Sequence, residues 1–374
     1  MNTPFSPSPF QYNQTNNLAM SISYQEIPLQ NTSVIAIGNP IMDITAEIDK
    51  ESIQKYGLLW GSTIFANERN IGFFNELEKR PEVKYTPGGS IQNTMRVASW
   101  CLNMDERLKN NFKLTMLGCV GDDIYKDRIE NALKINNVIP LLQVMPNMET
   151  SRCAVGVYKK ERCLVPQIKA SNNLSEDFIS QNEDKIFDND ILLIEGYFLQ
   201  EKYEICKYLC EKFKKNNKIV IFTLSAIFMV QAHNEKVMEI ANMCDILVCN
   251  FEELEAFGGK GSDLQETFEN AFKKLSPKKR IIVSTYGSKG VLCGEFDYKT
   301  MTLEYLHQTF SKPIKKEEIV DSNGAGDSFF GGFLAQYLKG KDIFSCCKGG
   351  NMAAGVILRN VGCTFPKDLK LNFD

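Results

Sequence analysis

The stretch Glu318-Ile-Val-Asp-Ser-Asn-Gly-Ala-Gly-Asp-Ser-Phe-Phe-Gly-Gly-Phe333 reads as the end of a strand, a glycine turn and the opening turns of a helix. Gly324 and Gly326 permit backbone conformations that a Cβ would block. Asp327 falls in the first helical turn, where backbone N–H groups lack intrahelical partners and the helix dipole is positive. Such an end receives anions, phosphate above all. Two readings of Asp327 stand. It is a first-turn acid that steadies the helix by about 1 kcal/mol, or it is an ionised base beside an anion hole, poised to take a proton from an attacking hydroxyl.

Working outward, apolar runs at 191–194, 219–224, 246–249 and 280–284 alternate with helical stretches near 201–215, 235–243, 252–257 and 264–275. Apolar strands separated by helices predict βαβ units and a parallel sheet covered on both faces. After Asp327, helices at 328–338 and 342–360 close the chain. Upstream, 33–38 is a short buried strand that leads into Asn39-Pro-Ile-Met-Asp43. A carboxylate just past the carboxyl end of a central strand is where open α/β sheets keep ligand groups; an ordinary loop acid is the competing account. In Tyr85-Thr-Pro-Gly-Gly-Ser-Ile-Gln-Asn93, paired glycines precede a helical pattern at 94–102. They make a close-approach surface where Ser90 and Asn93 meet a hydroxylated ligand, or a plain turn with a serine cap. A strand at 113–121 and an amphipathic helix at 123–136 follow.

Residues 150–158 and 162–168 alternate weakly around Lys159-Lys160-Glu161, which predicts a hairpin. A hairpin alone is unstable, so it must join a small separate sheet, and it reads as a lid. Asn250-Phe-Glu-Glu253 follows a strand and offers oxygen ligands for hydrated Mg²⁺, or a helix N-cap with first-turn acids. Ser284-Thr-Tyr-Gly-Ser-Lys-Gly290 sits where a nucleotide site could be lined. Neither a Walker A loop nor a G-x-G-x-x-G opening is present, which argues against both of those nucleotide folds.

The chain has 374 residues, enough for one large α/β domain with an appendage or for two domains. A net charge of -3 gives no electrostatic reason to expect nucleic acid. No apolar run reaches the ~18 residues of a membrane span. Twelve cysteines without a secretory signal, several in strand-like runs, read as buried thiols of a reducing, cytoplasmic compartment, with the nucleus also open. With only His233 and His307, a zinc site or a serine–histidine triad is poorly supplied. Residues 1–32 read as a disordered polar tail and 367–374 as a C-terminal tail.

Asp321-Ser-Asn-Gly-Ala-Gly-Asp327 resembles the D-T-x-G-A-G-D signature of the ribokinase-like (phosphofructokinase B) kinases. Gly88-Gly89 with Asn93 resembles the amino-terminal signature of that family, and Asn250-x-x-Glu253 its magnesium motif. Gly38-Asn-Pro-Ile-Met-Asp-Ile44, Leu224-Ser-Ala226 and Gly362-Cys-Thr-Phe-Pro366 are similar, in order, to segments of its adenosine-phosphorylating branch. The likeness covers roughly 33–366. It implies a three-layer α/β/α fold with a mostly parallel central sheet, plus a small β lid built from approximately 44–86 and 150–172.

The activity it implies is transfer of the γ-phosphate of ATP, with Mg²⁺, to the 5′-hydroxyl of adenosine, by a monomer that binds neither nucleic acid nor membrane. Residue by residue, the resemblance makes Asp327 the base, Gly324, Ala325 and Gly326 the anion hole, and Arg162 a lid arginine that reaches the phosphates. It gives Asp43 the ribose hydroxyls, with Gly88, Gly89, Ser90 and Asn93 beside it. Asn39, Cys153, Leu164 and Phe198 pack or orient the base. Thr285, Gly287 and Asn351 fall on the ATP side, and Asn250 and Glu253 on the metal. Ser322 replaces the usual Thr, Asn351 stands where a His is often found, and Pro166 and Lys169 interrupt a lid strand that is usually plainer. Two rival functions remain in view: a kinase for another nucleoside or a sugar, and a non-catalytic nucleoside binder.

Overall fold

The computed structural model describes residues 32–105, 111–158, 161–366, 369 and 371. The polar stretch 1–31, the hairpin tip Lys159-Lys160 and most of the stretch after 366 lie outside the described residues. Thr32, read above as tail, is buried and its carbonyl accepts the N–H of Lys113 at 3.4 Å.

The strands, in chain order, are β1 (Ser33–Ile37), β2 (Ile41–Glu47), β3 (Lys84–Gly88), β4 (Lys113–Gly121), β5 (Val138–Met145), β6 (Arg152–Tyr158) and β7 (Glu161–Gln167). They continue with β8 (Ile191–Glu195), β9 (Ile219–Thr223), β10 (Ile246–Asn250), β11 (Ile281–Thr285), β12 (Val291–Asp297) and β13 (Thr302–Thr309). Nine of them form one sheet in the order β13-β12-β11-β10-β9-β8-β1-β4-β5. Every pairing from β11 to β5 is parallel, and β12 and β13 add an antiparallel edge.

Both faces of this sheet are buried, because its strands are continuous runs of Val, Ile and Leu rather than alternating ones. Ile35 and Ile37 of β1 join one core, and Val34 and Ala36 the other. The first face carries helices Gly196–Lys215, Asn234–Met243, Phe251–Gly258 and Leu264–Lys273. The opposite face carries Ser90–Asn103, Ile124–Ile135, Ala325–Leu338 and Ile343–Ile357. This is the expected three-layer arrangement. All twelve cysteines are buried with free thiols, and among the described residues no helix is long and apolar enough to cross a membrane.

The hairpin β6–β7 does join a small sheet, in the order β3-β2-β6-β7. That sheet has its own core, with Ile44, Ala46, Phe73, Phe74 and Val165 fully or almost fully buried. The outer edge of β7 is not bare: the N–H groups of Gly61, Ile64 and Ala66 donate to the carbonyls of Arg162, Leu164 and Pro166. Pro166 does not interrupt β7; it stays in register opposite Cys153, near the strand end where a missing N–H is tolerated.

Two expectations are corrected. Asp43 is no loop acid: it lies inside β2, between Thr86 of β3 and Cys153 of β6. No strand precedes the glycine turn either, and residues 319–324 form neither helix nor strand. The N–H groups of Val320 and Asp321 donate instead to the carbonyl of Leu358, so this segment is tied to the last helix rather than to a sheet neighbour.

Candidate active site

The helix Ala325–Leu338 starts after Gly324, whose φ of +76° is the left-handed conformation that glycine takes without strain. At Gly326 φ is ordinary and a Cβ would meet nothing within 4 Å, so this glycine is not required by local packing. Its missing side chain leaves open space at the helix head. Asp327 is the third residue of the helix, and its carboxylate does not cap the helix end. Ser90 Oγ donates to one oxygen at 2.7 Å and Asn93 Nδ2 to the other at 3.0 Å. Burial pushes its pKa above the usual carboxylate range, while the two donors pull the other way.

Ser90 and Asn93 are delivered by the helix Ser90–Asn103. Its N-cap, Gly89, has φ +90°, and a Cβ there would lie 2.3 Å from the carbonyl oxygen of Asn39. At Gly88 a Cβ would meet the Asp43 carboxylate at 2.2 Å. The close approach that the paired glycines serve is therefore to the protein's own Asn39 and Asp43. Arg96, one turn on, donates to the Asn93 Oδ1 at 3.4 Å, which leaves the amide nitrogen of Asn93 for Asp327.

These groups open onto a cleft of about 1150 Å³ between the two sheets, into which Asn39, Asp43, Gly89, Ser90, Asn93, Cys153, Leu164 and residues 322–327 all look. Burial pushes the Asp43 carboxyl up to about 7; Arg162 lowers it, and Asp327 and Asp321 raise it further. Burial likewise holds the Cys153 thiol well above its ordinary range.

Other expected residues lie elsewhere. Phe198 is corrected: it is 1% exposed in the core under the sheet and does not reach the cleft. Its neighbour Tyr197 does, beside Phe228, with ring centroids 5.9 Å apart and 39% and 42% of their surfaces exposed. The helix that begins at Gly196 turns Tyr197 outward and Phe198 inward. Adjacent aromatics in Glu195-Gly-Tyr-Phe198 were the available signal, and the missing information was where the helix starts.

Arg162 does not open onto the cleft: its Nη2 lies 2.7 Å from Asp321 Oδ2, and both side chains are nearly buried. Asn250 and Glu253 form a reciprocal helix cap. Glu253 N–H donates to Asn250 Oδ1 at 2.7 Å, and Asn250 N–H to Glu253 Oε2 at 3.0 Å. Burial raises the Glu253 carboxyl to about 7. Thr285 ends β11 opposite Asn250, Gly287 opens the short turn after it, and Asn351 Nδ2 donates to the carbonyl of Thr309 at the end of β13. These three gather at the carboxyl ends of β11 and β13, beyond Asn250 and outside the cleft.

Glu195, at the carboxyl end of β8, is a further cleft residue that the sequence reading missed. It is buried, and burial raises its carboxyl to about 7, against the two backbone N–H groups that it accepts.

Residues 50–370 match the family described as pfkB family carbohydrate kinase. Over 350 residues the chain is 32% identical to the adenosine kinase of Dictyostelium discoideum, spanning 90% of this chain and 98% of that protein. The solved structure of Trypanosoma brucei brucei adenosine kinase is similar at 28% identity and a TM-score of 0.80, over 88% of this chain and 99% of that one. Anopheles gambiae adenosine kinase, solved in complex with P1,P4-di(adenosine-5) tetraphosphate, is similar at 29% identity and a TM-score of 0.78, over 89% and 98% of the two chains.

Proposed function

The chain belongs to the pfkB family of carbohydrate kinases, and on that premise we propose that it transfers the γ-phosphate of ATP to the 5′-hydroxyl of adenosine, giving AMP. The observation that carries the reading is Asp327, held between Ser90 and Asn93 at the head of a helix that opens on the cleft. The adenosine kinases of similar sequence and shape support the choice of acceptor.

Tyr197 and Phe228, their rings tilted 38° to each other, give the cleft aromatic surface suited to a purine, and Leu164 adds apolar surface. Asp43, when ionised, accepts from the two ribose hydroxyls. The 5′-hydroxyl then lies toward Asp327, which takes its proton as the oxygen attacks phosphorus. Charge in the loose transition state spreads over the equatorial phosphoryl oxygens, where the first-turn N–H groups of Gly326 and Asp327 stabilise it, that of Ala325 being engaged by the Ser322 carbonyl at 3.3 Å. Arg162, anchored by Asp321, adds positive charge beside the signature loop.

Among the described residues no cluster of three His, Cys, Asp or Glu side chains could hold a metal. The donor set therefore does not fit an ion caged by protein. It does fit hydrated Mg²⁺, which keeps several waters and is held mainly by phosphates, with Glu253 accepting from one of those waters. When bound, Mg²⁺ supplies charge neutralisation at the phosphate oxygens. The smaller sheet, with β6 and β7 over the cleft, serves as the lid that keeps water from the phosphoryl group.

A coupled assay of ATP turnover with adenosine, inosine, guanosine and ribose tests the reading. Adenosine should be the preferred acceptor; preference for ribose, or no turnover with any of the four, would overturn it.

A further inference from the structure

Glu195 is 1% exposed at the end of β8, and the transfer described above makes no use of it. One carboxylate oxygen accepts the N–H of Asn39 at 2.6 Å, and the other accepts the N–H of Ile91 at 3.1 Å. The first amide belongs to the turn after β1. The second lies in the opening turn of the helix Ser90–Asn103, where N–H groups have no intrahelical partner. The fit is close, since a Cβ on Gly38 would sit 2.5 Å from the Glu195 carboxyl carbon.

Both clamped segments carry groups that face the cleft. Asn39 Oδ1 is buried without a protein partner, although the residue lines the cleft. Ser90 and Asn93, on either side of Ile91, donate to Asp327. We propose that Glu195 is a positioning residue for the acceptor, locking the Asn39 turn to the helix head so that Asn39, Ser90 and Asn93 meet the nucleoside as one unit. This rests on the nucleoside-kinase reading of the cleft. A carboxylate is needed because a glutamine offers a single acceptor oxygen, and its NH₂ would face one of the two N–H donors.

The test uses the full chain as wild type, Glu195→Gln and Gly38→Ala, the last displacing the carboxylate without removing it. Rates are measured with adenosine and ATP varied separately, alongside thermal unfolding and adenosine calorimetry. Losing one buried hydrogen bond to a charged group should raise the adenosine KM about tenfold in each variant, with the ATP KM within about twofold. An unchanged adenosine KM overturns the clamp. So does an equal rise in both KM values that tracks a fall in Tm, which marks a merely structural residue. If the wild type binds adenosine but does not phosphorylate it, the proposed function fails and calorimetry decides the clamp: weaker binding by Glu195→Gln supports it, and equal binding overturns it. Absence of adenosine binding by the wild type overturns both.

Discussion

Arg162 of β7 and Asp321 of the signature loop form an ion pair, Nη2 to Oδ2 at 2.7 Å, with the carboxylate almost wholly withdrawn from solvent. The same carboxylate accepts the N–H of Gly362 at 2.6 Å and that of Asn323 at 2.9 Å. The small sheet, the signature loop and the turn at Gly362 therefore meet on one side chain. Asp321→Asn would leave a nearly buried guanidinium without its counter-charge, and breaking such a pair costs about 3–5 kcal/mol. Denaturant unfolding of the variant should show a loss of that order. A change within experimental error would mean that solvent already screens the pair.

Asp43 gives the acceptor site a pH dependence. With its carboxyl raised to about 7 by burial, it is ionised above that pH and neutral below it. Only the ionised form makes charge-assisted bonds to the ribose hydroxyls. Adenosine affinity should therefore fall as pH drops below about 7, by up to about tenfold per unit, and level off above about 8. Glu195 is raised into the same range, so the comparison with Asp43→Ala is what identifies the group. That variant should lose about 2–3 kcal/mol of adenosine affinity at high pH, with ATP affinity unchanged and the acid limb flattened. Calorimetry that shows equal losses for both ligands would make Asp43 a structural residue.

The two adjacent aromatics should separate cleanly. Tyr197→Ala should weaken adenosine binding by about 1–3 kcal/mol, the range for a lost base-stacking partner, with little change in Tm. Phe198→Ala empties a core site and should cost about 3–5 kcal/mol of stability while the adenosine KM stays near wild type. Thermal unfolding and initial rates on both variants check this, and the opposite pairing of effects would restore Phe198 to the site.

Most parallel strands were legible as short apolar runs between turns, and nothing but burial on both faces accounts for Ile191-Leu-Leu-Ile194; β5 was not, because Pro140 and Gln143 break its apolar run. β2 was missed although Asp43 and Thr45 alternate with Met42, Ile44 and Ala46, because the strand is short and follows directly on Asn39-Pro40, which reads as a loop. Asp327, Ser90 and Asn93 were visible through their glycine neighbours, which mark tight turns, and Asp43 through its place just after the strand at 33–38. Glu195 was missed although Gly196 follows it, because both of its partners are backbone amides more than a hundred residues away in the sequence. Asn250-x-x-Glu253 shows the converse difficulty, since one pair of residues satisfies both a metal motif and a capping box.

The central claim is that Asp327 acts as the base, and Asp327→Asn addresses it with almost no change of shape. Single-turnover transfer from ATP to adenosine should slow by at least about 10²-fold, the low end of general-base contributions. Adenosine affinity by calorimetry should stay within about threefold of wild type, because the ribose and base contacts are made by other residues. Transfer at near wild-type rate with adenosine bound would contradict the claim, and Asp327 would be a helix-head acid that steadies Ser90 and Asn93.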